Sequence, residues 1–174
     1  MEYAFYLDLK RCSGCQACTV ACMDQNDLEI EYEHDAWRRV FKVEENNYPE
    51  EQVIFISMAC MHCQDAPCLI ACPTGAICQD GETGMVLMRQ ELCIGCHSCS
   101  MACPFGVPRF GKNGKMEKCD MCAERVKHGL EPACVHICPT KALKFGPVNE
   151  LSGQVEEKAA ERLSRAVQKG IMIK

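Results

Sequence analysis

The stretch CIGCHSCSMACP, residues 93–104, places four cysteines within eleven positions and follows them with a proline. The cysteine spacing is C-x2-C-x2-C-x3-C. Residues 12–23, CSGCQACTVACM, repeat this spacing and agree with residues 93–104 at six of twelve positions. Two further groups, at 60–72 and 119–138, differ only in the middle gap, which has four and eleven residues. Four such groups in one chain indicate a duplicated unit built around its cysteines.

Cysteine is unusually abundant, with 17 among 174 residues. This density is typical of disulfide frameworks in small secreted chains or of metal sites in intracellular chains. Glu2 and Asp8 interrupt the first residues, and no stretch approaches the roughly 18 apolar residues of a membrane span. We therefore expect a soluble chain without an export signal or a membrane span of its own, and with reduced thiols. The net charge of −5 argues against nucleic acid as a main partner.

The first and third groups have the spacing of bacterial ferredoxins, in which the fourth cysteine of a run ligates a second cluster. Gly14 and Gly95 lie inside these loops, where small residues let backbone N–H groups approach the cluster sulfides. A proline that ends the helix carrying the last cysteine follows three of the groups, at Pro73, Pro104 and Pro139. The spacing therefore predicts [4Fe–4S] clusters.

Structural zinc and disulfides are the alternatives to iron–sulfur clusters. A third cysteine two residues after a C-x2-C pair crowds a tetrahedral zinc site, which disfavours zinc in the first three groups. The group at 119–138 taken alone resembles a pair of zinc knuckles, so zinc in this group only is a mixed alternative. Because clusters cross-link distant parts of a chain, we expect the apoprotein to be largely unfolded.

Short strands are predicted between the cysteine groups, and an amphipathic helix is predicted from about Val155 to Lys169. The helix has apolar residues four positions apart, and it either packs on its own domain or docks a partner. The predicted strands are 2–9, 38–43 paired with 53–58, 76–79 paired with 85–88, 108–110 paired with 115–117, and 143–145.

Several residues other than the sixteen cysteines of the four groups also need an interpretation. Cys78, the seventeenth cysteine, is interpreted as a structural thiol in a strand. The histidines at 62, 97 and 136 are expected on loop surfaces or as hydrogen-bond donors, because each group already has four cysteines. The basic stretch 109–128, which includes Lys118, is expected to be a solvated face or a contact patch for an acidic partner.

The order of the four groups resembles the four-cluster iron–sulfur subunits of molybdenum or tungsten oxidoreductases in the dimethyl sulfoxide reductase family. The resemblance also rests on CMHCQDAPC at 60–68, on CPTGAI and CPTKAL at 72–77 and 138–143, and on the long gap before Cys134. It covers about residues 3–147. It implies an α+β fold of tandem bacterial dicluster ferredoxin-like units, with short helices, small antiparallel sheets and a C-terminal helix.

The same resemblance implies a domain division and a set of ligands. Residues 1–150 would form the four-cluster domain, with a β insert at about 30–58, and residues 151–174 the C-terminal helix and tail. The last cysteine of the first group would ligate the cluster of the fourth group, and the last cysteine of the fourth group would ligate the cluster of the first. The second and third groups would exchange their last cysteines in the same way. The implied ligands are set A, Cys12, Cys15, Cys18 and Cys138; set B, Cys119, Cys122, Cys134 and Cys22; set C, Cys60, Cys63, Cys68 and Cys103; and set D, Cys93, Cys96, Cys99 and Cys72.

The function that the resemblance implies is electron transfer without catalysis. Four [4Fe–4S] clusters would relay single electrons between a large catalytic subunit, which carries a molybdenum or tungsten cofactor, and another redox partner. The sequence contains no P-loop, no G-x-G-x-x-G and no catalytic triad, in line with a non-catalytic subunit. A membrane anchor or a further redox subunit is an additional partner in this interpretation. We expect a cytoplasmic location, with membrane association or export only through a partner.

Three alternative functions remain open at this point. The protein could be a freestanding soluble polyferredoxin that shuttles electrons between enzymes. It could be the ferredoxin-like subunit of a tungsten aldehyde oxidoreductase, a hydrogenase or a carbon monoxide dehydrogenase, which the motifs do not separate from the main interpretation. The third alternative is a structural module stabilised by bound zinc. Such a protein would be colourless because zinc is d¹⁰.

Overall fold

The computed structural model describes residues 2–28, 36–47 and 50–168. Within these residues, eight strands form four separate two-stranded antiparallel sheets. Six helices and one 3-10 turn at Gln90–Leu92 connect them, and five of the helices are short. This is the α+β architecture of short helices and small sheets that the sequence predicts.

One sheet joins the two ends of the cysteine-rich region. Strand β1 (Tyr3–Leu7) pairs with β8 (Leu143–Pro147), and Phe5 lies opposite Phe145 with ring centroids 5.7 Å apart. Both strands lie close to their predicted positions. Because the first cysteine group follows β1 and the fourth precedes β8, this pairing brings the two groups together.

The insert between the first two groups contains a longer hairpin. Strand β2 (Arg39–Asn47) pairs with β3 (Glu50–Met58), with Arg39 opposite Met58, as the two β-rich runs predict. Residues 30–35 and 48–49 of the predicted insert lie outside the described residues.

Two short hairpins flank the third cysteine group, and both were predicted from their turn residues. Strand β4 (Ile77–Gln79) pairs with β5 (Val86–Met88). Strand β6 (Arg109–Phe110) pairs with β7 (Met116–Glu117). In the first turn, Asp80 accepts a hydrogen bond from the backbone N–H of Thr83 (3.0 Å), which closes the turn that joins the strands.

The third cysteine of every group lies in a short helix. Helix α1 contains Cys18 and Cys22, whereas the third cysteine of each other group lies in a helix of its own. In α1, Cys18 and Cys22 are four residues apart, so the helix holds their Cα atoms about 6 Å apart along its axis. The five short helices are α1 (Ala17–Gln25), α2 (Pro67–Ile70), α3 (Ser98–Ala102), α4 (Ala123–Lys127) and α5 (Ala133–His136).

The C-terminal helix α6 (Val148–Gln168) begins before the predicted start at Val155, because β8 leads directly into it. Its first turns pack on the β1–β8 sheet, where Leu151 is buried. Lys158 Nζ lies 2.8 Å from Oδ2 of Asp8, in the loop after β1. The predicted end of the helix at Lys169 lies outside the described residues.

The core is divided rather than continuous, and cysteines form part of each half. One buried cluster surrounds Cys68 and Cys99, with Ile77, Val86 and Met116. The other contains Cys134 and Cys138, with Val135, Ala142 and Leu143. In the part of the chain that the structure describes, no helix has the length and apolar character of a membrane span.

Candidate metal centres

The loops of the first and third cysteine groups share one backbone conformation. Gly14 and Gly95 have φ of +71° and +66°, and two residues later Gln16 and His97 have φ of +64° and +62°. Gln16 and His97 are also the N-caps of α1 and α3. Left-handed residues at alternate positions turn the loop tightly and direct successive backbone N–H groups to its inner side. Such a concave surface suits an anionic cluster.

Set D lines one recess. Cys72 from the second group meets the three cysteines of the third group there, around an empty volume of about 300 Å³. The backbone N–H of Met116 in β7 donates to Sγ of Cys93 (3.4 Å). Burial alone would raise the pKa of Cys72, but hydrogen bonds from the Ile77 backbone and from Thr74 bring this pKa below its usual value.

Set A lines a second recess of about 330 Å³, where Cys138 from the fourth group meets the three cysteines of the first loop. Ser57 Oγ in β3 lies 3.3 Å from Sγ of Cys18, so the β insert supplies a polar contact to this site. Thr140 Oγ1 lies 3.7 Å from Sγ of Cys138, as Thr74 Oγ1 does from Cys72. The two recesses are therefore equivalent sites of the internal repeat.

Set B is the most deeply buried of the four. Helix α1 packs on α5, which brings Cys22 into electrostatic contact with Cys119 and Cys134. Burial, reinforced by these two thiols, raises the pKa of Cys22 to about 12. Burial likewise raises the pKa of Cys119 to about 11. The backbone N–H of Met121 donates to Sγ of Cys119 (3.4 Å).

Set C forms where α2 packs on α3. Cys63 and Cys68 both interact electrostatically with Cys60 and with Cys103, which comes from the third group. Burial is the main cause that raises the pKa of Cys63 and of Cys68. The backbone N–H of His62 lies 3.5 Å from Sγ of Cys60. Among the described residues, no three His, Cys, Asp or Glu side chains are close enough to hold a single metal ion.

Neighbouring sets share helices or lie on helices that pack together. Helix α1 carries Cys18 of set A and Cys22 of set B and packs on α5, while α2 and α3 carry Cys68 of set C and Cys99 of set D and pack on each other. In each pair of neighbouring sets, one thiol also raises the pKa of a thiol in the other set. The pairs are Cys18 with Cys134 between A and B, Cys119 with Cys60 between B and C, and Cys68 with Cys99 between C and D.

The burial of two basic residues was not predicted from the sequence, and the expected loop-surface position was wrong for His62. Arg38 is 2% exposed, and Lys118 is 4% exposed although it lies in the stretch expected to be a solvated face or contact patch. His62 is buried, not on a loop surface, and its Nδ1 accepts a hydrogen bond from the backbone N–H of Val86 (3.0 Å). Burial, with the nearby Lys118 and Arg38, lowers the pKa of His62 to about 3, so the ring is neutral. No spacing rule marks these residues, because their burial depends on long-range packing.

The other singled-out residues lie as follows. His97 and His136 are exposed, as expected, and the His97 ring stacks on Phe110 with centroids 3.7 Å apart. Cys78 is half-buried in β4, opposite Leu87. Its role as a structural thiol stays a prediction.

The chemistry of these sites fits bound iron–sulfur clusters. Thiolates are the ligands that such clusters require, and each set places four cysteines together. Within the described part of the chain, three buried nitrogens have no hydrogen-bond partner: Nε1 of Trp37, Nε of Arg38 and Nε2 of His62. Arg38 Nε–H is a donor beside sets A and B, where sulfur acceptors of a cluster would satisfy it.

Comparison with known proteins identifies the family. A model described as a 4Fe-4S dicluster domain matches residues 51–148, and a second model of the same description matches residues 11–76. This protein belongs to the family of 4Fe–4S dicluster proteins. Two dicluster matches account for four [4Fe–4S] clusters, as the sequence predicts.

Relatives in this family are similar over most of the chain. The B subunit of the anaerobic dimethyl sulfoxide reductase of Escherichia coli is 39% identical, with 86% of this chain and 76% of that protein covered. The thiosulfate reductase electron transfer subunit PhsB of Salmonella typhi is 42% identical, with 86% and 78% covered. The iron-sulfur subunit of the nitrate-inducible formate dehydrogenase of Escherichia coli is 39% identical, with 94% and 60% covered. These relatives confirm the expected function, which is electron transfer by a non-catalytic iron–sulfur subunit.

Proposed function

We propose that the chain relays single electrons between a catalytic molybdenum or tungsten oxidoreductase subunit and another redox partner. The observation that carries this proposal is the arrangement of the sets. Helix α1, which carries Cys18 of set A and Cys22 of set B, packs on α5, and α2, which carries Cys68 of set C, packs on α3, which carries Cys99 of set D. A thiol of set C also raises the pKa of a thiol of set B. When bound, [4Fe–4S] clusters take up and release single electrons. Four sites in series are what a relay between two partners requires.

The proposal includes the ligands of each cluster. Sets A, B, C and D would each hold one cluster, with the first group exchanging its last cysteine with the fourth and the second with the third. The two recesses support this for sets A and D, because Cys138 and Cys72 line them beside cysteines of another group. For sets B and C, the packing of α1 on α5 and of α2 on α3 supports it, and Cys119 raises the pKa of Cys22 as Cys103 raises that of Cys63.

The residues around the sites have two tasks in this relay. Backbone N–H groups, such as those of Met116 and Met121, donate to ligand sulfurs and so stabilise the anionic form of the site. Apolar residues such as Ile77 and Met116 line the recess of set D and limit the access of water.

Exposed apolar residues at the ends of the series favour a permanent partner over a freestanding carrier. Met101 is 88% exposed in α3 and Ile70 is 77% exposed at the end of α2, while Ile94 is 67% exposed and lines the recess of set D. Val20 is 63% exposed in α1, beside set A. Exposed apolar side chains beside a redox site are typical of a surface that a partner subunit covers.

Purification from the native host under anaerobic conditions tests the proposal. We expect a complex with a large subunit that contains molybdenum or tungsten, and about sixteen irons on this chain, four for each cluster. The same iron content on a chain that purifies alone would contradict the proposal and support a freestanding polyferredoxin. Nickel in the complex would instead indicate a hydrogenase or a carbon monoxide dehydrogenase.

The domain division and location belong to the same proposal. Residues 1–150 would form the four-cluster domain and residues 151–174 the C-terminal helix and tail, with α6 docked through Leu151 and Lys158. We propose a cytoplasmic protein that reaches a membrane only through a partner such as an anchor subunit. Fractionation of the host with and without that partner tests the location.

A further inference from the structure

Arg38 is a buried cation at the junction of sets A and B. Its Nη1 donates to the carbonyl oxygen (3.4 Å) and to Oγ (3.3 Å) of Ser57, and its guanidinium lies 4.6 Å from the ring centroid of Phe5. Its charge interacts with sulfurs of both sets, namely those of Cys18, Cys22, Cys119 and Cys134. Arg38 is thus held by the β insert and by β1, on a site that two sets share.

Lys118 is a second buried cation, at the junction of sets B and C. Its Nζ donates to the carbonyl oxygens of Val86 and of Cys119, the latter at 2.9 Å. Its charge also acts on Cys68 of set C. Set B therefore has a buried positive charge on each side.

Neither cation has a buried carboxylate as its partner. Among the described residues the only buried carboxylate is Asp8, which pairs with Lys158 in α6. A buried charge without a counter-charge is strongly destabilising. The negative charges available to Arg38 and Lys118 are therefore those of the cysteine sulfurs. We conclude that both residues interact with the cluster sites rather than with a carboxylate.

The burial of set B explains why a positive charge matters there. Cys22, Cys119 and Cys134 are each at most 6% exposed. Reduction adds one negative charge to a cluster, and an added charge is costly where water is excluded. A nearby fixed positive charge offsets this cost and raises the reduction potential.

We propose that Arg38 and Lys118 are positioning residues that raise the reduction potential of the cluster held by set B, and that Arg38 also raises that of set A. This inference rests on the proposed ligand sets. The redox step moves one electron into a cluster, with no bond formed or broken. The effect is electrostatic, so it follows the charge of the side chain rather than its shape.

The test is a redox titration of the holoprotein, in its complex if it purifies as one, with dithionite as reductant and electron paramagnetic resonance as readout. We expect Arg38→Gln to weaken reduction of the set B cluster at least tenfold, which is about 59 mV towards lower potential for one electron. The set A cluster shifts in the same direction, and the set D cluster does not shift. Arg38→Lys, which keeps the charge, stays close to the wild type.

Arg39→Gln is the matched control. Arg39 is the neighbouring residue, is only partly buried, and has its guanidinium 5.1 Å from the ring centroid of Phe41. We expect all four potentials to stay unchanged in this variant. An equal shift in Arg39→Gln, an unchanged set B potential in Arg38→Gln, or an equal shift in Arg38→Lys would each overturn the inference.

Lys118→Gln keeps the inference falsifiable if Arg38→Gln fails to assemble its clusters. It should lower the potentials of the clusters in sets B and C and leave set A unchanged, and unchanged potentials in this variant would overturn the inference. Cys22→Ser identifies which resonance belongs to set B. If Cys22→Ser removes the set B signal as proposed, and Arg38→Gln leaves the potential of that same signal unchanged, the charge inference fails and the relay stands.

Discussion

Gly14 in the first cysteine loop lies directly against the aromatic ring of Phe55 in β3. A Cβ atom at Gly14 would lie 2.6 Å from Cε1 and 2.7 Å from Cγ of that ring, and the glycine has φ of +71°. Both the left-handed backbone and the close approach require glycine. The insert hairpin is therefore packed on the loop of set A, in contact with the cluster site.

The first prediction concerns this contact. Gly14→Ala combines backbone strain of about 1–3 kcal/mol with overpacking of about 1–3 kcal/mol, and should reduce cluster incorporation at set A. Gly75→Ala is the matched control, because Gly75 also has a left-handed φ of +64° but has open space around the Cβ position. Iron content and thermal unfolding measure both effects. Equal losses of iron content and thermal stability in the two variants would show that the contact with Phe55 is unimportant.

The second prediction concerns the crossed ligand sets. Cys138→Ser should abolish or convert the cluster of set A, with a loss of up to about four irons, although Cys138 is nearest in sequence to Cys134 of set B. Cys22→Ser should damage set B and leave set A intact. Electron paramagnetic resonance of the reduced holoprotein distinguishes loss of the set A cluster from loss of the set B cluster.

Cys78→Ser is the control for this pair, because Cys78 is the cysteine outside all four sets. We expect it to keep its full iron content and all four potentials. Damage to set B in Cys138→Ser, with set A unaffected, would contradict the crossed arrangement.

The third prediction concerns removal of the clusters. Both halves of the core contain ligand cysteines, with Cys68 and Cys99 in one half and Cys134 and Cys138 in the other. Extraction of iron with a chelator under oxidising conditions should therefore unfold the chain cooperatively. Circular dichroism and amide hydrogen exchange measure the loss of folded structure. A protein that keeps its protected amides without iron would show that apolar packing alone holds the fold, and a colourless native protein would indicate zinc.

The fourth prediction concerns the ion pair that docks α6. The hydrogen bond from Lys158 lowers the pKa of Asp8 below its ordinary value of 3.8, and the pair raises the pKa of Lys158 above 10.5. The contribution of Asp8 is present above pH 3.8 and is lost as the pH falls through the folded pKa. The contribution of Lys158 is present below pH 10.5 and is lost as the pH rises through its folded pKa.

Lys158→Met should therefore lower the thermal stability by the same modest amount across about pH 6 to pH 9, and should increase amide exchange in α6. Arg165→Met is the control on the same helix, because Arg165 pairs with Glu161 (3.5 Å) on an exposed face, where such pairs contribute little. A stability difference that changes steeply within this pH range would show that another group titrates at the docking site.

The local elements could be predicted from the sequence because they depend on local spacing. The turn residues around 80–84 and 111–114 predicted the two short hairpins, and the β-rich runs predicted the insert hairpin. The start of α6 was placed too late, because the helix continues directly from β8 without a break. The burial of His62 and Lys118 was also missed, since it depends on β5, whose Val86 bonds to both.

By itself, the sequence determined the chemistry and the number of the sites: sixteen cysteines in four groups whose spacing suits four [4Fe–4S] clusters. These features are local, because a short loop can present only the thiols that lie within it. The family resemblance implied which distant cysteine completes each set, and the tertiary structure places Cys138 and Cys72 in the two recesses. Only the tertiary structure decided the placement of Arg38 and Lys118 beside these sets. Such placements arise from the packing of α1 on α5 and α2 on α3, which join residues far apart in the sequence, and no spacing rule encodes them.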